Sequence, residues 1–294
     1  MVRITTQCNS GCAHCTIADI AHHTDRTAQE VVAELAKGRQ SGCTELVFMR
    51  GEALIRKDLL PIVRKARELG YTHIQLQTNA RLLSYSQYIQ KLNKAGMTFY
   101  EVSFFGHSAG LHDAIDGTEG AFAQASAGIK NLAAAGAAFM VSVPVLKRNF
   151  SVLTDVVDYL HSLGVTRVQL QFPRPVQVGP EWQTKPLIRL SHCSSFIRKA
   201  MARGKELGLA METEGVPLCH LDESDWNIPD ADTDFTQQEV ADVHRHTDSV
   251  AENRDQARPR GEACNECVLE SRCPTTWAAY QALYGTWEFK AVSA

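Results

Sequence analysis

"VRITTQCNSGCAHC", residues 2–15, runs a β-branched stretch directly into a loop with cysteines at 8, 12 and 15. Val, Ile and Thr in succession favour an extended strand. The C-x3-C-x2-C spacing then puts three thiols on one short loop at that strand's end. Thiolates so placed are soft ligands, suited to zinc or to an iron–sulfur cluster. Structural zinc takes four protein ligands, and His14 inside the loop, or His22 and His23 after it, offer a fourth. A redox pair with a spare thiol is the third reading. Three thiols alone do not choose among them.

Outward from this stretch the chain alternates strand and helix. "ELVFM" (45–49), "HIQLQ" (73–77), "YEVSFF" (100–105), "FMVSVPV" (139–145) and "RVQLQF" (167–172) read as strands, with 2–6 as the first. Residues 27–42, 58–70, 84–96, 121–136 and 150–164 carry apolar residues at helical spacing, and each run ends at a Gly suited to a left-handed C-terminal cap. Regular alternation of this kind predicts an α/β fold with a parallel sheet. About six units fit before residue 175, too few for a closed eight-unit barrel, so the expected architecture is a partial (β/α)6 parallel barrel. In such barrels the chemistry gathers at the C-terminal ends of the strands, where the first cysteine loop lies.

After "FPRPVQVGP" (172–180) the pattern changes. One more helical run spans roughly 188–207, and a polar stretch, 222–262, shows weak periodicity. "CNECVLESRCPTTWAAYQALYG" (264–285) closes with a short helix. The expected division is a barrel over 1–185 and a small cysteine-rich region over 186–294.

The formal net charge of -3 gives no basic footprint for nucleic acid. No apolar run reaches the roughly 18 residues of a membrane span, and "MVRITTQ" lacks the apolar core of a signal peptide. A cytoplasmic location is expected. Nine cysteines, an odd number, are then metal ligands or buried thiols rather than disulfides. Cys8, Cys12 and Cys15 form one group, and Cys264, Cys267 and Cys273 another. Cys43, Cys193 and Cys219 stand singly.

With these motifs in place, the sequence resembles the radical SAM superfamily over roughly residues 1–175. In that family a C-x3-C-x2-C loop after the first barrel strand holds three irons of a [4Fe–4S] cluster, and the fourth iron binds S-adenosylmethionine. The resemblance makes Cys8, Cys12 and Cys15 the cluster ligands, with His14 where an aromatic is usual. "MRGEA" (49–53) is similar to the family's Gly-Gly-Glu-Pro segment: Gly51 and Glu52 match, while Arg50 and Ala53 depart from it. "QTNAR" (77–81) resembles its Thr-Asn-Gly, with Thr78 and Asn79 retained, and "HDAIDGTEGAF" (112–122) a recurring family segment. Ser103, Asn149, Gln169 and Gln171 fall at strand ends or on strands where the family contacts the cofactor. In isolation, Ser and Gln at such positions serve equally well as solvated or neighbour-satisfied polar groups.

The C-x2-C-x5-C group at Cys264, Cys267 and Cys273, with Cys219 upstream, resembles the auxiliary-cluster segment (SPASM/twitch-like) of many radical SAM enzymes. That implies a second [4Fe–4S] cluster held by four thiolates. A zinc site is the competing reading, with His220 as a substitute ligand. Cys43 and Cys193 read as small buried residues. Cys193 is also a candidate hydrogen-atom donor, which would make an epimerase.

The resemblance implies an enzyme that cleaves S-adenosylmethionine to a 5′-deoxyadenosyl radical and abstracts hydrogen from its substrate, by oxidation or epimerisation. A flavodoxin or ferredoxin would supply the electron. Because the chain opens directly on the first strand, a small natural-product-type substrate is expected, with a peptide substrate as the alternative. A zinc-stapled binding module and an iron–sulfur electron carrier are the readings from other classes.

Overall fold

The computed structural model describes residues 1–15, 24–178, 180–232, 240–241, 246–247 and 258–293. Six parallel strands form one sheet: β1 (Glu45–Phe48), β2 (His73–Thr78), β3 (Phe99–Ser103), β4 (Phe139–Pro144), β5 (Arg167–Gln171) and β8 (Ala210–Glu214). They lie side by side in chain order, the winding of a barrel wall rather than of a sheet whose order reverses at its centre. Two two-residue strands, β6 (Gln177–Val178) and β7 (Glu181–Trp182), form a separate antiparallel pair.

Helices α1 (Ala28–Gln40), α2 (Leu59–Glu68), α3 (Ser86–Ala95), α4 (Ala109–Asp116), α5 (Ala121–Ala134), α6 (Leu153–Ser162) and α7 (Leu190–Glu206) accompany the strands. The five expected helices are present, and Gly42, Gly70, Gly96, Gly136 and Gly164 after them all take positive φ. Helix α1 starts at a capping box, in which Glu30 N–H donates to Thr27 Oγ1 at 3.2 Å and Thr27 N–H to Glu30 Oε2 at 2.7 Å.

Strand alternation sets the two faces. Leu46, Phe48, Ile74, Leu76, Tyr100, Val102, Val168 and Leu170 are buried in one hydrophobic core with Leu35, Ile62, Leu92, Ile129, Val157 and Ile197 of the helices. Burying each such side chain contributes about 1.5–3 kcal/mol. The alternate positions, Gln75, Gln77, Glu101, Gln169, Gln171, Glu212 and Glu214, lie on the opposite face and are polar.

Two expectations about the strands change. The run 2–6 makes only two isolated parallel bridges, both at Val2, to Phe48 and Ala241; the Val2 N–H donates to Val47 O at 2.8 Å. Beyond it the backbone turns to other partners: Thr6 N–H and Thr5 Oγ1 both donate to Asp25 at 2.7 Å. The sixth strand is instead "AMETE" (210–214), paired with β5 from Arg167↔Ala210 to Gln171↔Glu214. Its acidic sequence conceals a strand because two of its glutamates face polar partners on the inner face. Helix α7 and strand β8 thus carry the sheet past residue 186.

The segment after β8 is largely irregular, with 3-10 turns at Leu218–His220 and Glu262–Glu266 and a helix at Ala278–Tyr284. It docks on the end of β5: Trp277 Nε1 donates to Phe172 O at 2.8 Å, and the Phe172 and Tyr280 rings meet edge-on at 5.1 Å. No described helix is long and apolar enough to cross a membrane. His22, His23 and most of the polar stretch between 232 and 258 lie outside the described residues.

Candidate active site

The C-terminal ends of the strands converge on the first cysteine loop. Residues 50–52, after β1, take an unusual backbone path: Arg50 has φ 61° and Gly51 φ 63°. A Cβ at Gly51 would stand 2.5 Å from Thr5 O and 3.0 Å from Gln7 O, so only glycine fits between these backbones. Glu52 N–H then donates to Gln7 O at 2.8 Å, locking this turn to the strand-like segment before the cysteines.

Glu52 is 1% exposed. Its carboxylate accepts hydrogen bonds from Leu54 N–H at 3.1 Å, Asn79 N–H at 2.8 Å and Thr78 Oγ1 at 2.9 Å. Burial pushes its pKa up to about 7 in spite of these donors. Glu52 and Thr78 therefore form one buried knot that joins the turns after β1 and β2. Asn79 projects from the knot to the loop, where Nδ2 donates to Asn9 Oδ1 at 2.7 Å and Ser10 Oγ at 3.0 Å and lies 4.0 Å from Cys8 Sγ.

The loop is held from two further directions. Arg81 donates to Asn9 O and to Ser10 Oγ. On the other side, Gly11 N–H donates to Asp116 O at 2.9 Å, and Gly117 packs so closely that a Cβ there would meet Gly11 O at 2.6 Å. Cys8, Cys12 and Cys15 are free thiols, and burial above all raises the pKa of Cys8, to about 11, and that of Cys12. Beside them the His14 ring meets Phe105 edge-on at 5.1 Å, and burial lowers its pKa to about 4.

The other expected cofactor positions are distributed differently. Ser103 ends β3 in register with Ser142. Gln169 donates to Glu212 at 3.1 Å and accepts from Ser142 Oγ at 3.3 Å, and Gln171 donates to Glu214 at 2.6 Å. Asn149 is fully buried and spends its amide on backbone: Nδ2 donates to Phe105 O and Pro144 O, and Oδ1 accepts from Leu146 N–H at 2.7 Å. It staples the turns after β3 and β4. Cys193 is fully buried in the helical layer, its Sγ donating to Leu190 O at 3.7 Å, with burial pushing its pKa to about 12.

Several site residues escaped the sequence reading. Arg81 and Asp116 support the loop, and Glu101, Glu212 and Glu214 line the inner face. Glu101 accepts from Gln75 and Gln77 at 2.8 and 3.0 Å, and burial followed by the repulsion of Glu214 and Glu212 pushes its pKa up to about 7. The signal was present as polar residues at period two in "HIQLQ", "RVQLQ" and "AMETE". Arg56 pairs with Asp58 at 2.8 Å and donates to Ile4 O and Arg26 O.

Cys219, Cys264, Cys267 and Cys273 line one cavity together with Arg260 and Lys290. Backbone N–H groups already point at two of the sulfurs, Leu218 to Cys273 and Val292 to Cys267, each at 3.4 Å. Among the described residues no three Cys, His, Asp or Glu side chains are gathered for a single metal ion. His220 is turned away, between Ser194 Oγ at 2.6 Å and Glu288 O at 3.0 Å.

A parallel partial barrel with three thiols at the mouth, braced by a buried glutamate on the next turn, defines a class of cofactor-dependent α/β enzymes. Residues 2–170 match the family model of the Radical SAM superfamily. The chain belongs to that superfamily. It is 30% identical over 166 residues to an AdoMet-dependent heme synthase of Oleidesulfovibrio alaskensis, covering 55% of this chain and 42% of that protein. It is 27% identical over 180 residues to a probable GTP 3′,8-cyclase of Sulfurisphaera tokodaii, covering 60% of this chain and 56% of that one. The chain thus spans about half the length of these relatives. Its fold is similar to that of SuiB of Streptococcus suis bound to precursor peptide SuiA, with TM-score 0.68 and 13% identity over 99% of this chain and 74% of that one. It is also similar to anSMEcpe with bound AdoMet and a peptide, with TM-score 0.58 and 13% identity over 72% of this chain and 63% of that one. S-adenosylmethionine and a [4Fe–4S] cluster go with membership of the family, and three soft thiols on one braced loop are a fitting donor set for that cluster.

Proposed function

We propose that this chain cleaves S-adenosylmethionine reductively and abstracts hydrogen from a small, polar, natural-product-type substrate held on the inner face of the barrel. The observation that carries this reading is the single knot of Glu52, Thr78 and Asn79, which braces the thiol loop from the ends of β1 and β2. When bound, the cluster and S-adenosylmethionine supply one-electron chemistry that yields methionine and a 5′-deoxyadenosyl radical.

The chain's own residues bind, orient and exclude water. Cys8, Cys12 and Cys15 would hold the cluster. Gly51 lets backbone approach, and Glu52 fixes that backbone; its three protein donors make it a brace more than a free acceptor. Ser103, Gln169 and Gln171 border the space beyond, where amides and carboxylates favour a substrate rich in hydroxyl or amino groups. Asn149 acts through the backbone turns it staples. Cys219, Cys264, Cys267 and Cys273 hold a second [4Fe–4S] cluster, and the net reaction is an oxidation or epimerisation. The buried setting of Cys193 supports a packing role; hydrogen donation would require the start of α7 to open.

Likeness in fold over nearly the whole chain to SuiB bound to its precursor peptide supports a second reading, a maturase acting on a peptide. Anaerobic reconstitution, iron analysis and product detection test the common core. Roughly eight irons and 5′-deoxyadenosine formed with dithionite are expected for two [4Fe–4S] clusters. A colourless protein with stoichiometric zinc would overturn both readings. Screening amino-sugar-like compounds against peptides for substrate-dependent loss of cofactor separates the two.

A further inference from the structure

Asp116 ends helix α4 with its side chain 1% exposed. No donor lies within close bonding geometry of either oxygen; the hydroxyls of Ser10 and Thr118 act on the carboxylate as more distant donors, and Arg81 Nη1 lies 4.0 Å away. A buried carboxylate so weakly compensated is costly and calls for a reason. Its surroundings supply one. Its own carbonyl receives Gly11 N–H at 2.9 Å, inside the first thiol loop, and the next residue, Gly117, touches Gly11. Arg81 meanwhile donates to Asn9 O and Ser10 Oγ of the same loop. The ion pair therefore straddles residues 9–11, between Cys8 and Cys12.

The carboxylate is a buried negative charge set behind residues 9–11, between two of the thiols. A neutral side chain at 116 would remove that charge and leave Arg81 in place on the loop. Charge and burial around a cluster's sulfurs are established levers on its potential.

We propose that Asp116, anchored by Arg81, is a positioning residue that seats the first cysteine loop and holds the cluster there at a more negative reduction potential than a neutral side chain would. This rests on the assignment of Cys8, Cys12 and Cys15 as its ligands. The step concerned is the uptake of one electron, from dithionite in the assay, with no bond made or broken in the protein. A buried negative charge nearby opposes that uptake and makes the reduced state a stronger reductant toward the bound sulfonium.

The test is a redox titration of the reconstituted holoenzyme, followed by EPR on the reduced signal that responds to S-adenosylmethionine. Asp116→Asn should keep its iron and shift that midpoint to a more positive potential. Asp116→Glu, which restores the charge, should move it back toward wild type. An unchanged midpoint in Asp116→Asn with iron retained overturns the proposal and leaves Asp116 a structural residue. Should Asp116→Asn lose iron, Asp116→Ser provides a smaller neutral side chain, judged by the same shift. The ligand assignment fails separately: Cys12→Ala would then keep the S-adenosylmethionine-responsive signal.

Discussion

The two cysteine groups differ in how the fold presents them. Cys8, Cys12 and Cys15 lie on one loop, held by side chains from outside it: Asn79, Arg81 and the turn at Asp116–Gly117. Cys219 arrives from the end of the barrel sheet, and Cys264, Cys267 and Cys273 come from a separate segment. Together they line one cavity, where backbone N–H groups reach two of the sulfurs. On the proposed reading, three thiols braced from outside would leave a coordination position for a cofactor, while four thiols from two segments would close their site and staple the segments together, as metal binding contributes to folding in small cysteine-rich regions.

The largest expected effect breaks the first group. Cys12→Ala should abolish 5′-deoxyadenosine formation while about four irons remain, as for one intact [4Fe–4S] cluster. Iron analysis with product chromatography checks both halves, and complete iron loss would show that the two sites are not independent. Cys267→Ala is the converse. It should remove about four irons and loosen the segment around Ala278–Tyr284, yet leave cofactor cleavage measurable. Limited proteolysis beside the product assay reads that outcome.

Gly51→Ala tests the brace. The added Cβ would press on Thr5 O at 2.5 Å, with φ at 63°, so the turn must move. A loss of about 1–3 kcal/mol in stability is expected, together with weaker S-adenosylmethionine binding by calorimetry. Unchanged binding would show that the close approach at 51 is dispensable.

The smallest effect concerns pH. Glu52 and Glu101 both have pKa values raised by burial to about 7 from the ordinary glutamate value of 4.5. The folded state therefore binds protons that the unfolded state has released between these values. Their contribution is fully present below pH 4.5 and is lost as pH rises through about 7. Melting of the metal-free protein should fall across this window, and Glu52→Gln should flatten the slope without removing it, because Glu101 remains. A slope that persists unaltered in Glu52→Gln would refute the burial account of Glu52.

Local chemistry made the helices, most strands and both thiol groups readable from the sequence, because periodicity, glycine caps and cysteine spacing act over short distances. Gly51, Glu52, Thr78 and Asn79 were identifiable only through family resemblance, and their joining into one knot was not. Strand β8 was hidden because its glutamates are stable on an inner face only beside Gln169, Gln171 and Arg167 of a strand over forty residues earlier. Asp116 shows the same limit: "DAID" reads as an ordinary helix end, and its burial behind the cysteine loop arises from the packing of α4 against residues more than a hundred positions away. The sequence by itself determined a parallel α/β chain with three thiols after its first extended stretch and four more beyond the sheet. Only the tertiary structure decided which strand completes the barrel wall and which charges stand behind the loop. Burial and pairing of polar groups depend on partners that the chain brings together only when it folds.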